Sequence, residues 1–376
     1  MSSHKPAEKI KICHMTSVHK REDGRIFKRE CVSLQEAGYE VYLVVADDKP
    51  DEIKNGVHIC SVNIKPQNRV ERMTKAAKCV FRKALEINAQ VYHFHDPELM
   101  PYGYKLKKMG KKVIFDSHED TAIQILDKKY LIAPKIASKI FKFYQNYIIK
   151  RLDAVIIVTP NFTEKFKGAE KRVYVITNYP ELIPVPDRTE IKRQVCFTGS
   201  CFPEWCNVET AVAVSELNCE YLIAGTGDKS FIDEVIAKGK GKTKYLGQIS
   251  RDEAFRIQTE SVAGMVVSRA SQEILNGGSL GVTKLFEYMM NGLPVICSNV
   301  RLWREVVEQY ECGICVDPFD IHSIREGIEY MLMDPDRARK MGNNGRKAVE
   351  ERFNWKTQKE ELLRIYRKVL KDSDYK

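Results

Sequence analysis

The sequence predicts an α/β protein built from two doubly wound domains, and three observations lead there. Short apolar runs alternate with helix-length segments along nearly all of the 376 residues. Such alternation builds βαβ units, with a parallel sheet covered by helices on both faces. The pattern stops at "NYPELIPVPDRTE" (178–190), which has three prolines and no apolar period, and then restarts. The length is too great for one small core and suits two domains.

In the first half the strand candidates are "KIKICHM" (9–15), "VYLVV" (41–45), "VHICSV" (57–62), "VYHFH" (91–95), "KVIFD" (112–116), "AVIIVT" (154–159) and "VYVIT" (173–177). Between most of them apolar positions recur three or four apart, the helical period. The second half offers "QVCFTGS" (194–200), "YLIAGTG" (221–227), "TKYLG" (243–247), "GMVVS" (264–268), "PVICS" (294–298) and "GICVD" (313–317), then a helix-rich tail from about 321. The expected division is 1–182, 183–354 and a C-terminal helix, 355–376, returning to the first domain. Open α/β sheets bind ligands at the carboxyl ends of their strands. Two such sheets facing each other put the expected site in the cleft between them.

The formal net charge of +10 favours an anionic partner: a phosphate-bearing substrate, a membrane surface or nucleic acid. The opening "MSSHKPAEK" lacks the apolar core of a signal peptide, and no apolar run approaches the ~20 residues of a membrane span. A cytoplasmic protein is expected. Eleven cysteines, odd in number and irregular in spacing, do not form a secreted disulfide framework. The Cys312–Cys315 pair sits in a strand pattern rather than opening a helix, and Cys201 and Cys206 are loosely spaced. Buried apolar roles suit them better than metal or redox chemistry. No G-x-G-x-x-G follows the first strand, which argues against a dinucleotide-dependent dehydrogenase.

The chemistry concentrates at strand ends. In "SQEILNGGSLGVTKLFEY", Gly277, Gly278 and Ser279 precede a helix expected from about Leu280. A glycine loop at a helix N-terminus offers free N–H groups to a phosphate. Lys284 adds a point charge, and Glu287, three residues on, can accept hydrogen bonds from ribose hydroxyls. A nucleotide would use both; an exposed i,i+3 ion pair fits the same spacing. After the first strand come Thr16, Ser17, His19, Asp23 and Arg25, each of which alone suits a loop cap. "HFHDPE" and "FDSHED" bring His95, Asp96, His118 and Glu119 to the ends of the fourth and fifth strands. Two histidines, each beside a carboxylate, suit proton handling.

"KLFEYMMNGLPVICSN" followed by "LWREVV" resembles the donor-binding region of GT-B glycosyltransferases of the GT4 group. "HMTSVHKREDGRIFKRECVSLQEAGYEVYLVVAD", "VYHFHDPELMPYGYKLKKMGKKVIFDSHED" and "CGICVDPFDIHSIREGIEYML" extend the resemblance over most of the chain. It implies two Rossmann-like domains facing a cleft. It also implies a nucleotide-sugar donor, expected to be a UDP-sugar, and retaining transfer of a hexose to a lipid-linked or polysaccharide hydroxyl in surface glycan assembly. By position, Glu287 matches the second Glu of the family's Glu-x7-Glu motif and holds the ribose. Ser279 stands where the first Glu would be, which implies different recognition of the donor sugar. Ser200 and Trp205 fall near the places where many relatives carry an Arg and a Lys on the diphosphate. The clamp then rests on Lys284, the Gly277–Gly278 loop and backbone amides, with Gly199 on the donor side. Glu305 closes the pocket.

The same resemblance places His118 against the transferred sugar and gives the acceptor's proton to Asp96 or Glu119, between which the sequence does not choose. Ser17, His19, Asp23, Arg25 and His95 form the acceptor side. No carboxylate need be a covalent nucleophile. No Asp-x-Asp pair stands out, so neither a metal nor a cofactor is expected.

Segments 69–85 and 135–151 read as basic amphipathic helices with aromatic residues, suited to an anionic membrane surface or to packing on the sheet with a solvated basic face. No nucleic-acid motif accompanies them. Two other readings compete with the transferase: a nucleotide-sugar epimerase, and a non-catalytic subunit of this fold, which Ser279, Ser200 and Trp205 would suit.

Overall fold

A computed structural model describes residues 9–371 apart from 119–120, 127–131, 167, 187, 189 and 270–276. The chain forms two compact units, one of residues up to Thr177 together with those from Gln358 on, the other Asn178–Thr357.

The first unit carries β1 (Lys11–Thr16), β2 (Glu40–Val45), β3 (Glu52–Lys54), β4 (Val57–Ser61), β5 (Val91–Phe94), β6 (Lys112–Ser117), β7 (Ala154–Ile157) and β8 (Val173–Val175), in the sheet order β3-β4-β2-β1-β5-β6-β7-β8. Every pairing is parallel except β3 with β4. The central strands read as unbroken apolar runs because helices cover both faces; all four residues of β5 and of β7 are buried. The alternation does not anticipate β3. Its signal is Asn55-Gly56, which takes positive φ at both positions, the requirement of a tight two-residue hairpin.

The second unit holds β9 (Gln194–Thr198), β10 (Glu220–Ala224), β11 (Thr243–Tyr245), β12 (Ala263–Val266), β13 (Val295–Ser298) and β14 (Gly313–Val316), ordered β11-β10-β9-β12-β13-β14. All their pairings are parallel. Strand order reverses beside β1 in one sheet and beside β9 in the other, and a doubly wound fold binds ligands at such switch points.

The units divide after Thr177 rather than at 182. Tyr179 packs on Phe286 and Phe353, with ring centroids 4.7 and 5.3 Å away, and the Trp355 N–H donates to Pro180 O at 2.8 Å, so these residues belong to the second unit. The helix Trp355–Lys371 passes into the first unit, where Tyr366 is fully buried. Cys201 and Cys206 lie in the second unit's apolar core. Among the described residues no helix is long and apolar enough to cross a membrane.

Candidate active site

In the second unit the site forms at the end of β9. Gly199 has φ +140°, a backbone conformation that favours glycine, and its α-carbon stands beside Lys284, whose Nζ would lie 2.8 Å from a Cβ placed there. Lys284 stands in the first turn of the helix Thr283–Met290. Its Nζ lies 3.9 Å from the Trp205 ring centroid and 4.8 Å from that of Phe197. No carboxylate oxygen comes within 4.0 Å of it among the described residues, so the exposed-ion-pair reading of Lys284 and Glu287 does not hold. Burial brings Lys284 down to about 8, with Glu287 pulling the other way. This is a cation held by aromatic faces. Trp205 caps the lysine with its ring face.

The helix begins at Thr283, three residues later than expected. Ser279 makes a local turn, its Oγ accepting from Gly281 N–H at 3.1 Å while its carbonyl accepts from Trp303 Nε1 at 2.9 Å. Gly278 has φ +85° and a Cβ there would lie 2.9 Å from Val300, while Gly277 O accepts from Leu302 N–H at 2.8 Å. The Gly277–Ser279 segment is thus fixed against the helix Arg301–Tyr310. Glu287, one turn beyond Lys284, is half-buried. Ser200 is exposed and lies 3.4 Å from the Thr226 hydroxyl. Glu305 is exposed and pairs with Arg301 at 3.4 Å, a surface contact.

In the first unit β1, β5 and β6 bring their carboxyl ends together. Asp96 is buried, and its Oδ2 accepts from Thr16 Oγ1 at 2.8 Å, Ser17 N–H at 2.6 Å and Ser17 Oγ at 3.3 Å. Its Oδ1 faces His19 Nε2 at 3.5 Å, and His19 Nδ1 faces Asp23 at 3.4 Å. Burial would lower His19, but Asp23 and Asp96 outweigh it and raise the imidazole above its ordinary value. Burial raises Asp96. Asp23 lies well below the carboxylate range: burial opposes this, but His19 and the N–H groups of Ile26 and Arg25 prevail. The His19 and His118 rings stand 4.8 Å apart, and both are partly exposed. They are the described imidazoles here that can meet a ligand. Glu119 lies outside the described residues.

Three expected acceptor-side residues are turned inward: Ser17, whose buried Oγ donates to Asp96 or Glu98 at 3.3 Å, Arg25 and His95. Arg25 is buried and grips both Asp116 oxygens at 2.8 and 3.0 Å and Ile176 O at 2.8 Å, a structural role that leaves it no acceptor to contact. His95 is also buried, between His14 (Nδ1 to His95 Nε2, 2.9 Å) and His118 (Nε2 to His95 Nδ1, 3.1 Å). His118 Nε2 reaches Asp116 at 3.1 Å. Tyr366 joins His93 Nδ1 at 2.8 Å and His14 Nε2 at 3.2 Å. Burial holds His14 and His93 well below the imidazole range and His95 down at about 4, so the three rings are neutral. Asp116 stays ionised against its burial because Arg25 and His118 face it.

Sequence reasoning missed His14, Glu30, His93, Asp116 and Tyr366. The available signal was polar residues in and just past apolar strands: His93 in β5 and His95 directly after it, two apart, share a face, and His14 is in register with His93.

Two α/β units with sites at their switch points are the architecture of a GT-B glycosyltransferase. Residues 24–179 match the family described as Glycosyltransferase Family 4, and residues 207–348 match Glycosyl transferases group 1. The chain belongs to the group 1 glycosyltransferases of the GT4 class. It is 37% identical over 84 residues to the capsular polysaccharide biosynthesis glycosyltransferase CapM of Staphylococcus aureus, covering 22% of each chain. It is 27% identical over 153 residues to an uncharacterized glycosyltransferase of Methanocaldococcus jannaschii, covering 40% of this chain and 37% of that one. These matches thus span well under half the length of either relative. Among solved structures, sucrose-phosphate synthase from Thermosynechococcus elongatus superposes with a TM-score of 0.76 at 17% identity, over 97% of this chain and 100% of that one. Anabaena HepE in complex with UDP and glucose superposes with a TM-score of 0.70 at 13% identity, over 94% and 98%. At these identities the likeness establishes the fold.

Proposed function

We propose that this protein moves a hexose, with retention, from a UDP-sugar to a hydroxyl of a lipid-linked or polysaccharide acceptor in surface glycan assembly. The second unit holds the donor, with Lys284 on the diphosphate, the Gly199 and Gly277–Gly278 turns beside it, and Glu287 on the ribose. The first unit receives the acceptor at His19 and His118, with Asp96 orienting His19. Charge develops on the leaving diphosphate, where the Lys284 ammonium stabilises it. The leaving phosphate assists removal of the acceptor's proton. No step is routed through a metal.

The observation that carries this reading is Lys284, a largely buried ammonium whose neighbours are aromatic faces rather than carboxylates. Such a charge invites an anion. Calorimetric titration of the wild type and Glu287→Ala with UDP, GDP and ADP tests it. UDP is expected to bind most tightly, and the variant to lose ~1–3 kcal/mol. Absence of binding by all three would overturn the reading in favour of a non-catalytic subunit. Turnover of a UDP-sugar without acceptor would favour the epimerase.

Peripheral attachment to the inner face of the membrane belongs to the same proposal. On the helix Pro134–Ile149, Ile136, Ile140, Phe143 and Tyr147 are 62, 65, 77 and 43% exposed, and Lys135, Lys139 and Lys142 beside them are exposed too. An apolar stripe flanked by lysines suits an anionic lipid surface. Within 69–85 only the first turns share this character: Val70 and Met73 are exposed, whereas Val80 and Phe81 are buried in the sheet's core. Sedimentation with anionic vesicles is expected for the wild type and lost in Ile140→Glu/Phe143→Glu; equal sedimentation would contradict it.

A further inference from the structure

We infer that His14, Glu30, His93 and His95 form a binding site for one zinc-class divalent metal ion inside the first unit. His14 on β1 and His93 on β5 are partners in register, and His95 follows on the same face. Glu30 enters from the helical segment Ile26–Cys31. One donor atom from each of the four lies within 4.8 Å of the others, and all four residues are at most 2% exposed.

The hydrogen bonding leaves a specific deficit. A shared proton can satisfy His14 Nδ1 and His95 Nε2, which lie 2.9 Å apart. It does nothing for His93 Nε2, which is buried without a hydrogen-bond partner among the described residues; both Glu30 oxygens are buried too, with Arg25 and the Asp116 carboxylate as charged neighbours. Arg25 Nε is 3.1 Å from Glu30 Oε1 but directs its N–H at Asp116. Buried polar atoms without partners are costly and rare. One cation among the four residues would satisfy all of them together.

The surroundings are those of a metal site's outer shell. Tyr366 holds His93 Nδ1 and His14 Nε2, while His118 and Asp116 flank His95 Nδ1 at 3.1 and 3.4 Å. Ligating histidines are oriented in this way through their other nitrogen. Three imidazoles and one carboxylate suit zinc or a neighbouring transition metal, not magnesium or calcium, which take oxygen ligands. Four protein donors with no exposed position make the ion structural, so the transfer chemistry proposed above does not use it. The ion would tie β1, β5, the Glu30 segment and, through Tyr366, the C-terminal helix into one body.

The test uses the full chain purified without a metal-affinity tag. Elemental analysis is expected to find about one zinc per chain. Stripping with a chelator and titrating with cobalt(II) is expected to give visible absorption of a four-coordinate site, saturating near one equivalent. Glu30→Gln and His93→Gln are expected to lose that absorption. Should either fail to fold by circular dichroism, Tyr366→Phe keeps all four ligands and is expected to bind cobalt ~10–100-fold more weakly. A folded wild type that carries no metal and gives no cobalt band overturns the inference. So does a band unchanged in all three variants, which would place the metal elsewhere.

Discussion

The candidate sites of the two units treat buried charge in opposite ways. In the first unit Asp116 is matched by Arg25, His118 and His95, and Asp96 accepts three hydrogen bonds. In the second unit Lys284 faces Trp205 and Phe197, with no carboxylate in ion-pair range among the described residues. A network matched from within is rigid and changes little when a ligand arrives. A cation resting on aromatic rings keeps its charge for a ligand. On the proposed reading, the strand ends of the first unit position the acceptor and the Gly199 turn of the second captures the donor's diphosphate.

The largest effect should come from breaking the matched network. Arg25→Met removes the principal counter-charge of the buried Asp116 and leaves it only the imidazoles of His118 and His95, and unfolding free energy should fall by ~3–5 kcal/mol in urea titration. A loss under ~1 kcal/mol would show that the network is not load-sharing in this way. In the second unit, Trp205→Leu keeps an apolar side chain but removes the ring face. UDP affinity should fall by ~0.5–2 kcal/mol while Trp205→Phe falls less; equal losses would reduce Trp205 to packing. The smallest effect is pH. Lys284 titrates at about 8, below its ordinary value, so its ammonium is present below pH 8 and lost as pH rises through it. UDP affinity should therefore drop by up to about tenfold between pH 7 and 9, and a flat profile would separate Lys284 from the phosphate.

The strands were legible because burial on both faces writes them as apolar runs, and β3 was missed because three residues carry too little pattern. Lys284 and Glu287 were legible as charges in an apolar helix, but the contact that defines Lys284 was not. Trp205 reaches it from 79 positions away in sequence, across a turn whose shape depends on Gly199. The histidine cluster was hidden for the same reason: Tyr366 lies 273 residues from His93. Periodicity placed an apolar stripe on 135–151 without telling which side faced the sheet, because Ile148 and Ile149 are as apolar as Phe143. Arg25 and His95, read from their place at strand ends, proved to be turned inward, since a strand-end position does not fix where a long or planar side chain points.

The central claim is that Lys284 binds the donor's diphosphate. Its most direct test is calorimetric titration of the wild type and Lys284→Ala with UDP and with uridine. The account predicts that the wild type prefers UDP and that the variant brings UDP down to the level of uridine, a loss of ~1.5–3 kcal/mol for UDP alone. Unchanged UDP affinity in Lys284→Ala would contradict it.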